Sequence, residues 1–346
     1  MNLKKFIRVA GLPMALASVM CFASCQKEAV TEVAPATPVS TAALEATTMN
    51  SLATTTTSTR TYKTTAPIYL SNAHDLTING DLITGGSVAC INLVKCKNIH
   101  ITNCKLINST DVGVKLFGCT NITIDYSLIT NVSTGVYAIS CTQVQVRNNQ
   151  MRNMMGPMPR GQFVQFNQVY GANNRIANNQ FENIAGQSRT EDAINLWKCN
   201  GSPTDPIAVI ANSIRGGGPS SSGGGINLGE QGGSYQTASY NTLVNPGQYG
   251  VGISGGTNIK LLNNLIYSES LPYSNVGIVY WNQSGLPCGG NTVSGNKVNF
   301  KSGRLGGAQN DNYIGPGNTA PTGWSSNTWR APISSYILPS ALITYN

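Results

Sequence analysis

Short runs of alternating apolar and polar residues recur along the chain from about Pro67 onward. Most copies carry three such runs, as in Ile91-Asn-Leu, Ile99-His-Ile and Leu106-Ile107. Alternation over three to five residues is typical of a strand that turns one face inward. Each copy therefore predicts three short strands separated by three turns. One apolar residue marks the first strand of each copy: Ile68, Ile91, Val114, Val136, Phe163, Ile194, Ile226, Val251 and Ile278.

Three strands of this length cannot enclose a core alone, but copies stacked about 4.8 Å apart bury a continuous apolar column. The sequence therefore predicts an all-β fold, a right-handed parallel β-helix of about nine rungs over residues 67–305. The pattern resembles the pectate-lyase-like superfamily. A β-propeller needs about 40 residues per blade, and a leucine-rich repeat needs a leucine spacing that this chain lacks. Residues 306–346 lose the repeat, and we expect them to form a C-terminal cap over the last rung.

Composition supports a turn-rich β protein, because 37 Gly and 38 Asn disfavour helices and only 10% of the residues are charged. The asparagines recur at equivalent bends, which predicts amide ladders up the stack and left-handed backbone at the turns. One set shares a turn, Asn98 and Asn121. A second set lies at or near the bend before the third strand: Asn103, Asn148, Asn178, Asn212, Asn241, Asn263 and Asn296.

Cysteines follow the same period and close the first strand of four rungs: Cys96, Cys119, Cys141 and Cys199. The closely spaced ligand pairs that are typical of a zinc site are missing from the sequence. We therefore predict small buried thiols in the core. We leave open whether one disulfide forms between neighbouring rungs, since disulfides form in an oxidising compartment.

The N-terminus has the pattern of a targeting segment. Lys4, Lys5 and Arg8 precede an apolar stretch that is too short to span a bilayer. The sequence ending at Cys25 resembles a bacterial lipobox, which implies a signal peptide over residues 1–24 and lipidation of Cys25. An ordinary secretory signal is the alternative. We expect a Thr/Ala/Pro-rich tether over residues 25–66 and a cell-envelope lipoprotein of the outer membrane, with its periplasmic or surface orientation left open.

The few charged residues gather around three insertions, Met154 to Arg160, Ala185 to Glu191 and Gly216 to Gly225. All three fall between a third strand and the next first strand, so they should form one wall of a groove on rungs four to seven. The formal net charge is +8, but no basic cluster is interleaved with aromatic residues, which argues against nucleic acid. We expect a monomer whose partners are a polysaccharide and, through the lipid, the membrane.

The stretch Arg189-Thr-Glu-Asp-Ala-Ile-Asn-Leu-Trp-Lys198 resembles the chondroitinase B and alginate lyase group of β-helix lyases. The resemblance implies that Glu191 or Asp192 binds Ca²⁺ and that Lys198 removes a proton next to a uronate carboxylate. It covers about ten residues, and Glu230 stands where that group has an Arg-His pair. Arg189 or Arg215 could replace the missing arginine.

Other interpretations of the same residues remain open. Glu191 or Asp192 could pair with Glu230 as the two carboxylates of a glycoside hydrolase. Arg160, Trp197 and Tyr249 are candidates for substrate binding, since aromatic rings can stack on sugars. The sequence therefore predicts a polysaccharide-engaging protein: a lyase on an acidic glycan, a glycoside hydrolase, or a non-catalytic binding or structural lipoprotein.

Overall fold

The computed structural model describes residues 60–344, and their strands form three long sheets around one core. The predicted signal peptide, the lipidation site Cys25 and most of the predicted tether lie outside the described residues. The first-strand sheet has ten parallel strands: β2 (Ile68–Ser71), β5 (Ile91–Val94), β8 (Val114–Phe117), β11 (Val136–Ile139), β14 (Val164–Asn167), β17 (Ile194–Trp197), β20 (Ile226–Glu230), β23 (Tyr249–Ile253), β27 (Val276–Tyr280) and β32 (Asn312–Ile314).

The second-strand sheet has nine strands: β3 (His74–Asn79), β6 (Lys97–Thr102), β9 (Thr120–Asp125), β12 (Thr142–Arg147), β15 (Arg175–Ala177), β18 (Ile207–Ile210), β21 (Gln236–Ser239), β25 (Lys260–Leu262) and β29 (Thr292–Ser294). The third-strand sheet has twelve strands: β1 (Lys63–Thr65), β4 (Asp81–Gly86), β7 (Lys105–Ser109), β10 (Leu128–Val132), β13 (Gln150–Met154), β16 (Gln180–Glu182), β19 (Ser213–Arg215), β22 (Thr242–Val244), β26 (Leu265–Leu271), β30 (Lys297–Ser302), β31 (Ala308–Gln309) and β33 (Thr328–Trp329).

Two minor strands, β24 (Gly256–Thr257) and β28 (Cys288–Gly289), pair with each other. Two short 3₁₀ helices, Trp324–Ser326 and Ser335–Ile337, lie near the C-terminal end. Within residues 60–344, no helix has the length and apolar character that crossing a bilayer would require. The architecture confirms the predicted parallel β-helix.

Equivalent residues of successive rungs pair in parallel register, so that Ile91 lies between Ile68 and Val114. Eight of the nine predicted marker residues occupy this position, but in the fifth rung the position belongs to Val164 and Phe163 lies one residue earlier. Both side chains are fully buried. Stacking identical apolar positions at strand spacing gives one continuous core, as the alternation predicts.

Two domain boundaries differ from those predicted. Strand β1 lies inside the predicted tether and pairs with β4, so among the described residues the β-helix already includes Lys63. At the other end, β32 pairs with β27 and continues the first-strand sheet. The solenoid therefore has ten first strands, and its tenth rung falls inside the predicted cap.

A buried asparagine ladder runs along the bend before the third strand. Each side-chain nitrogen donates to the amide oxygen of the next rung at 2.8–3.1 Å, and the ladder comprises Asn149, Asn179, Asn212, Asn241, Asn264, Asn296 and Asn327. Three predicted members, Asn148, Asn178 and Asn263, instead precede ladder residues and have φ angles of 55–58°. The two roles predicted for asparagine are thus divided between adjacent residues.

Replacing Asn212 with alanine should destabilise the fold by about 3–5 kcal/mol, because buried groups of three rungs lose their partners. Its amide bonds Asn179, Asn241 and the carbonyl of Ile176. Denaturant unfolding of the variant measures the loss. Asn92→Ala, on the outward face of β5, is the control and should change stability by less than about 1 kcal/mol. Equal free energies of unfolding for the two variants would contradict a stabilising role of the ladder.

The cysteines are buried thiols, as predicted. All seven cysteines between residues 60 and 344 are free, and all but Cys288 are buried. Cys96, Cys119 and Cys141 stack in three consecutive rungs, where the backbone N–H of Cys119 lies 3.3 Å from the Cys141 sulfur.

The last segment, residues 333–344, corrects the expectation of a simple cap. Trp324 and Trp329 pack against the end of the core, but the chain then turns back along the outside of the third-strand sheet. Its Leu338, Leu342 and Ile343 form a separate buried cluster with residues of that sheet. The apolar pattern of the segment thus reflects packing along the solenoid rather than over its open end.

Candidate functional site

A groove of about 600 Å³ lies on the outer face of the first-strand sheet. The prediction of a groove beside this sheet is confirmed, but it occupies rungs six to ten rather than four to seven. Of the three predicted insertions, Gly216–Gly225 contributes Ser222 to the wall of the groove, and the second contributes its last residue, Glu191. The first insertion does not line the groove. Its lining residues are Glu191, Asp192, Ser222, Asn227, Glu230, Gln248, Tyr249, Gly252, Ser254, Asn275, Val276, Val279, Trp281, Gln283, Leu305, Asn310 and Tyr313.

Glu230 reaches the groove because β20 contains a register shift. Asn195 pairs with Asn227, whereas Trp197 pairs with Glu230, so β20 has one extra residue between these pairs. Gly229 supplies the required backbone, with φ of 67° and a position where a Cβ atom would lie 2.1 Å from the Gly255 oxygen. The carboxylate of Glu230 then accepts a hydrogen bond from the Asn195 side chain.

Asp192 lies two residues before the neighbouring strand β17 and is almost completely buried, with 6% of its surface exposed. One carboxylate oxygen accepts hydrogen bonds from the Gly224 N–H at 3.0 Å and from the Tyr249 hydroxyl. The other accepts from the Asn195 side-chain nitrogen at 2.7 Å. Burial raises the pKa of the Asp192 carboxyl to about 6, although the bonds from Tyr249 and Asn195 oppose this shift.

Asn195 joins the two carboxylates, because its side-chain nitrogen donates to both Asp192 and Glu230. The two N–H bonds of an amide diverge by about 120°, so the two accepting oxygens lie roughly 4–5 Å apart. Gln165 on the preceding rung holds the Asn195 oxygen through a hydrogen bond of 2.8 Å. Three adjacent strands therefore fix the geometry of this carboxylate pair.

The environments of the two carboxylates differ. Burial raises the pKa of Glu230, and the nearby charge of Glu191 adds to the increase. Asp192 accepts three hydrogen bonds, whereas Glu230 accepts one from Asn195. Donors stabilise the ionised form, whereas the deeper burial of Asp192 and the nearby charge of Glu230 act in the opposite direction and raise its pKa.

Glu191 forms the third acidic group of the groove. Its two carboxylate oxygens accept hydrogen bonds from the hydroxyls of Ser220 and Ser222. Both serines belong to the Gly/Ser-rich insertion, so this insertion orients Glu191 over the groove.

Aromatic residues form the far end of the groove. Trp281 and Tyr313 meet edge to face with 6.3 Å between ring centroids, and 38% and 43% of their surfaces are exposed. Tyr249, by contrast, is buried and its hydroxyl bonds Asp192, so it orients a carboxylate rather than offering its face to a sugar. Trp197 is half-buried beside Glu230 in the sheet register.

The predicted basic residues do not enter the groove. Arg215 projects from the third-strand sheet, where it donates to the carbonyls of Ser335 and Leu338. Arg160 stacks on Tyr137, 4.2 Å from the ring centroid, three rungs before Glu230. Arg189 is exposed outside the groove lining, so neither arginine candidate meets Lys198 there.

Lys198 follows β17 in a left-handed bend with φ of 51°. Its ammonium nitrogen lies 5.7 Å from the centre of the Trp197 ring. The side chain is exposed and does not contribute to the groove lining. The arrangement that the lyase resemblance implies, with a lysine, an arginine and a carboxylate in one pocket, is therefore not formed.

The carboxylates also do not fit the predicted Ca²⁺ site. Calcium takes about six to eight oxygen ligands, whereas the oxygens of Glu191 and Asp192 already accept hydrogen bonds from serine, tyrosine, asparagine and backbone donors. Across the described residues, no group of three or more His, Cys, Asp or Glu side chains could hold a metal ion.

Sequence reasoning missed several residues of the site. Asn195 was hidden among 38 asparagines, although its outward position between Ile194 and Leu196 distinguishes it from those at bends. Tyr313 and Asn310 lie in the predicted cap, where the repeat could not be followed. Glu191, Asp192, Glu230 and Tyr249 are the four predicted site residues that the structure brings together.

A comparison with protein families matches residues 47–198 to a right handed beta helix region. No curated protein matches the chain. The matched residues include the first strands of the first six rungs, and the remaining rungs continue the same three parallel sheets. Proteins with this region include enzymes that act on polysaccharides, together with proteins of other roles. The chain is a right-handed parallel β-helix repeat protein.

Proposed function

We propose that the protein is a glycoside hydrolase that acts on an uncharged polysaccharide, with Asp192 and Glu230 as its catalytic carboxylates. The observation that carries this proposal is the pair itself, since both carboxylates accept hydrogen bonds from the single side-chain amide of Asn195, an arrangement that places the accepting oxygens roughly 4–5 Å apart. Retaining glycosidases place their two carboxyl groups about 5–5.5 Å apart.

The proposed chemistry follows from the two environments. Glu230 donates its proton to the glycosidic oxygen while Asp192 attacks the anomeric carbon, so one C–O bond breaks and one forms. Water then attacks the glycosyl–Asp192 ester, and Glu230 takes the proton from that water. Tyr249 and Gly224 donate hydrogen bonds that favour the ionised form of Asp192, and Asn195 keeps both groups in place.

The groove lining argues for an uncharged substrate. It contains three carboxylates and no Lys, Arg or His among the described residues. A uronate polymer would bring negative charge next to these acids without a cation to offset it. The amide side chains of Asn227, Gln248, Asn275, Gln283 and Asn310 instead suit sugar hydroxyls.

The test is a panel of uncharged and uronate-containing polysaccharides incubated with the purified protein. We expect new reducing ends from at least one uncharged polymer, with retention of anomeric configuration by NMR. Ultraviolet absorbance of unsaturated products from a uronate polymer would support a lyase instead. Binding without cleavage of any polymer would support the non-catalytic alternative and overturn the proposal.

Replacing Tyr249 with phenylalanine should move the acidic limb of the pH–activity profile upward by about one pH unit. The hydroxyl donates to Asp192 and lowers its pKa, and a hydrogen bond to a charged group is worth about 1.5–3 kcal/mol. Activity requires ionised Asp192 and therefore falls as the pH decreases through its pKa of about 6. The profile of kcat/KM against pH measures the shift, and Tyr336→Phe, at an exposed site, is the control. An unmoved acidic limb would show that Asp192 does not set it.

We also propose that the protein is anchored in the outer membrane by lipid on Cys25, on the basis of the lipobox resemblance and basic n-region. Cys25→Ala should abolish labelling with a radioactive fatty acid and release the protein from the membrane fraction. Cys288→Ala, at a half-buried thiol outside the signal, is the matched control. Labelling that survives in the Cys25 variant would contradict the anchor.

A further inference from the structure

A row of outward-facing side chains on the first-strand sheet leads directly to Glu230. The sheet register places one residue of each rung in this row. From the second rung to the seventh, the row comprises Val94, Phe117, Ile139, Asn167, Trp197 and Glu230. The proposed acid therefore stands at the end of a mostly apolar row, and the row is continuous with the groove.

The row is accessible over the early rungs. Phe117 has 46% of its surface exposed, and Tyr69 in the adjacent outward row has 64% exposed. Tyr137 anchors a small apolar cluster on the same face, with Ile139 packed against it. Contiguous exposed apolar surface on a soluble protein commonly marks a binding site.

The dimensions fit a chain molecule better than a small ligand. Phe117 lies on the third rung and Glu230 on the seventh, so four strand spacings separate them by about 19 Å. Amide side chains accompany the apolar groups, because Asn167 lies within the row and Asn92 lies in the adjacent row. Ring faces together with amide donors and acceptors match the apolar faces and hydroxyls of sugars.

We infer that this strip, defined by Tyr69, Phe117, Ile139 and Trp197, binds the part of a polysaccharide chain that extends beyond the groove. The ligand class rests on the proposed function, and the inference adds that the substrate is a long polymer rather than a short oligosaccharide. Polysaccharide chains that reach the strip gain contacts several sugar units away from the carboxylates. Three cations lie beside the strip: Lys115 is paired with Asp111 at 3.7 Å, Arg160 stacks on Tyr137 and Lys198 lies next to Trp197.

The test measures binding separately from cleavage. Glu230→Gln is prepared alone and with Tyr69→Ala and Phe117→Ala, and migration is followed in native gels containing an uncharged polysaccharide from the panel. We expect the added substitutions to weaken retardation by about fivefold to tenfold. Tyr336→Ala, at an exposed site outside the strip, should leave retardation unchanged.

Cleavage gives the second measurement. With Glu230 intact, the two strip substitutions should lower kcat/KM for the polymer by a similar factor and leave short oligosaccharides of the same glycan unaffected. If Glu230→Gln is retarded equally with and without the two strip substitutions, the strip does not bind the polymer, and the proposed hydrolysis is unaffected by that result. If the strip substitutions abolish retardation but the unmodified protein hydrolyses no polymer, the strip is supported as a binding site and the proposed function is rejected. A parent dimer that Phe117→Ala dissociates would instead identify a protein interface and overturn the inference.

Discussion

Replacing Glu230 with glutamine should reduce kcat on the responsive polysaccharide by about 10²- to 10⁴-fold, because proton donation to the leaving oxygen is lost. Glutamine keeps the shape and the hydrogen bond from Asn195 but has no proton to give. The measurement is release of reducing ends at substrate saturation. A substrate whose leaving group needs no proton should lose much less activity in the first step.

The matched control for this prediction is Asp111→Asn. Asp111 precedes the third first strand on the same side of the solenoid and pairs with Lys115 at the surface. Its removal should leave kcat within about twofold, since an exposed ion pair contributes little. If Glu230→Gln retained full activity, Glu230 could not be the acid, whatever the polymer specificity.

The pKa values of Asp192 and Glu230 depend on the stacking of neighbouring rungs more than on residues nearby in the sequence. Asp192 and Glu230 are 38 positions apart, yet they share one amide donor because β17 and β20 are adjacent in the first-strand sheet. Parallel stacking converts a distant pair into neighbours and buries both. That burial raises both pKa values and makes proton transfer near neutral pH accessible.

The fold was predictable because its information is periodic. An error of one residue in a single rung, as at Phe163, leaves eight other rungs to define the same column. The asparagine pattern likewise predicted a ladder, and only the choice between neighbours such as Asn148 and Asn149 required the structure. Adjacent asparagines look equivalent in sequence, whereas the bend places one in the core and gives the other its positive φ.

The site was less predictable because it depends on departures from the period. The register shift at Gly229 determines where Glu230 points, whereas an unbroken register from Ile194 and Ile226 would pair Glu230 with Lys198. Arg215 was a candidate site residue because it lies beside an insertion. The sequence does not show that it belongs to the sheet covered by the C-terminal segment. A charged residue near an insertion can project from the first-strand sheet or from the third-strand sheet. The strand to which the residue belongs determines which of these two it is.

Removing residues 333–346 should lower the free energy of unfolding by about 2–5 kcal/mol, at least the effect of deleting one buried leucine. The segment buries Leu338, Leu342 and Ile343 against the outside of the third-strand sheet. Its backbone is also held by side chains of that sheet, since Leu342 N–H donates to Glu182 at 3.1 Å and Arg215 donates to two carbonyls.

The size of this effect follows from how solenoids gain stability. Each rung contacts only its neighbours, so local opening of one end costs little. Residues 333–344 pack in one cluster with Leu128 on the third rung and Tyr267 on the eighth, and thereby join rungs that are five positions apart in the stack. Loss of the segment should lower the unfolding midpoint and broaden the transition, which circular dichroism during urea titration measures.

Catalysis provides the distinguishing measurement, because the groove lies on a different sheet from residues 333–344. The truncated protein should hydrolyse the polysaccharide at an unchanged rate at low temperature and lose activity earlier on heating. Leu342→Ala should reproduce part of the stability loss, and Tyr336→Ala, at an exposed position of the same segment, should reproduce none. A truncation that left the midpoint unchanged would mean that the rungs stabilise one another without this connection.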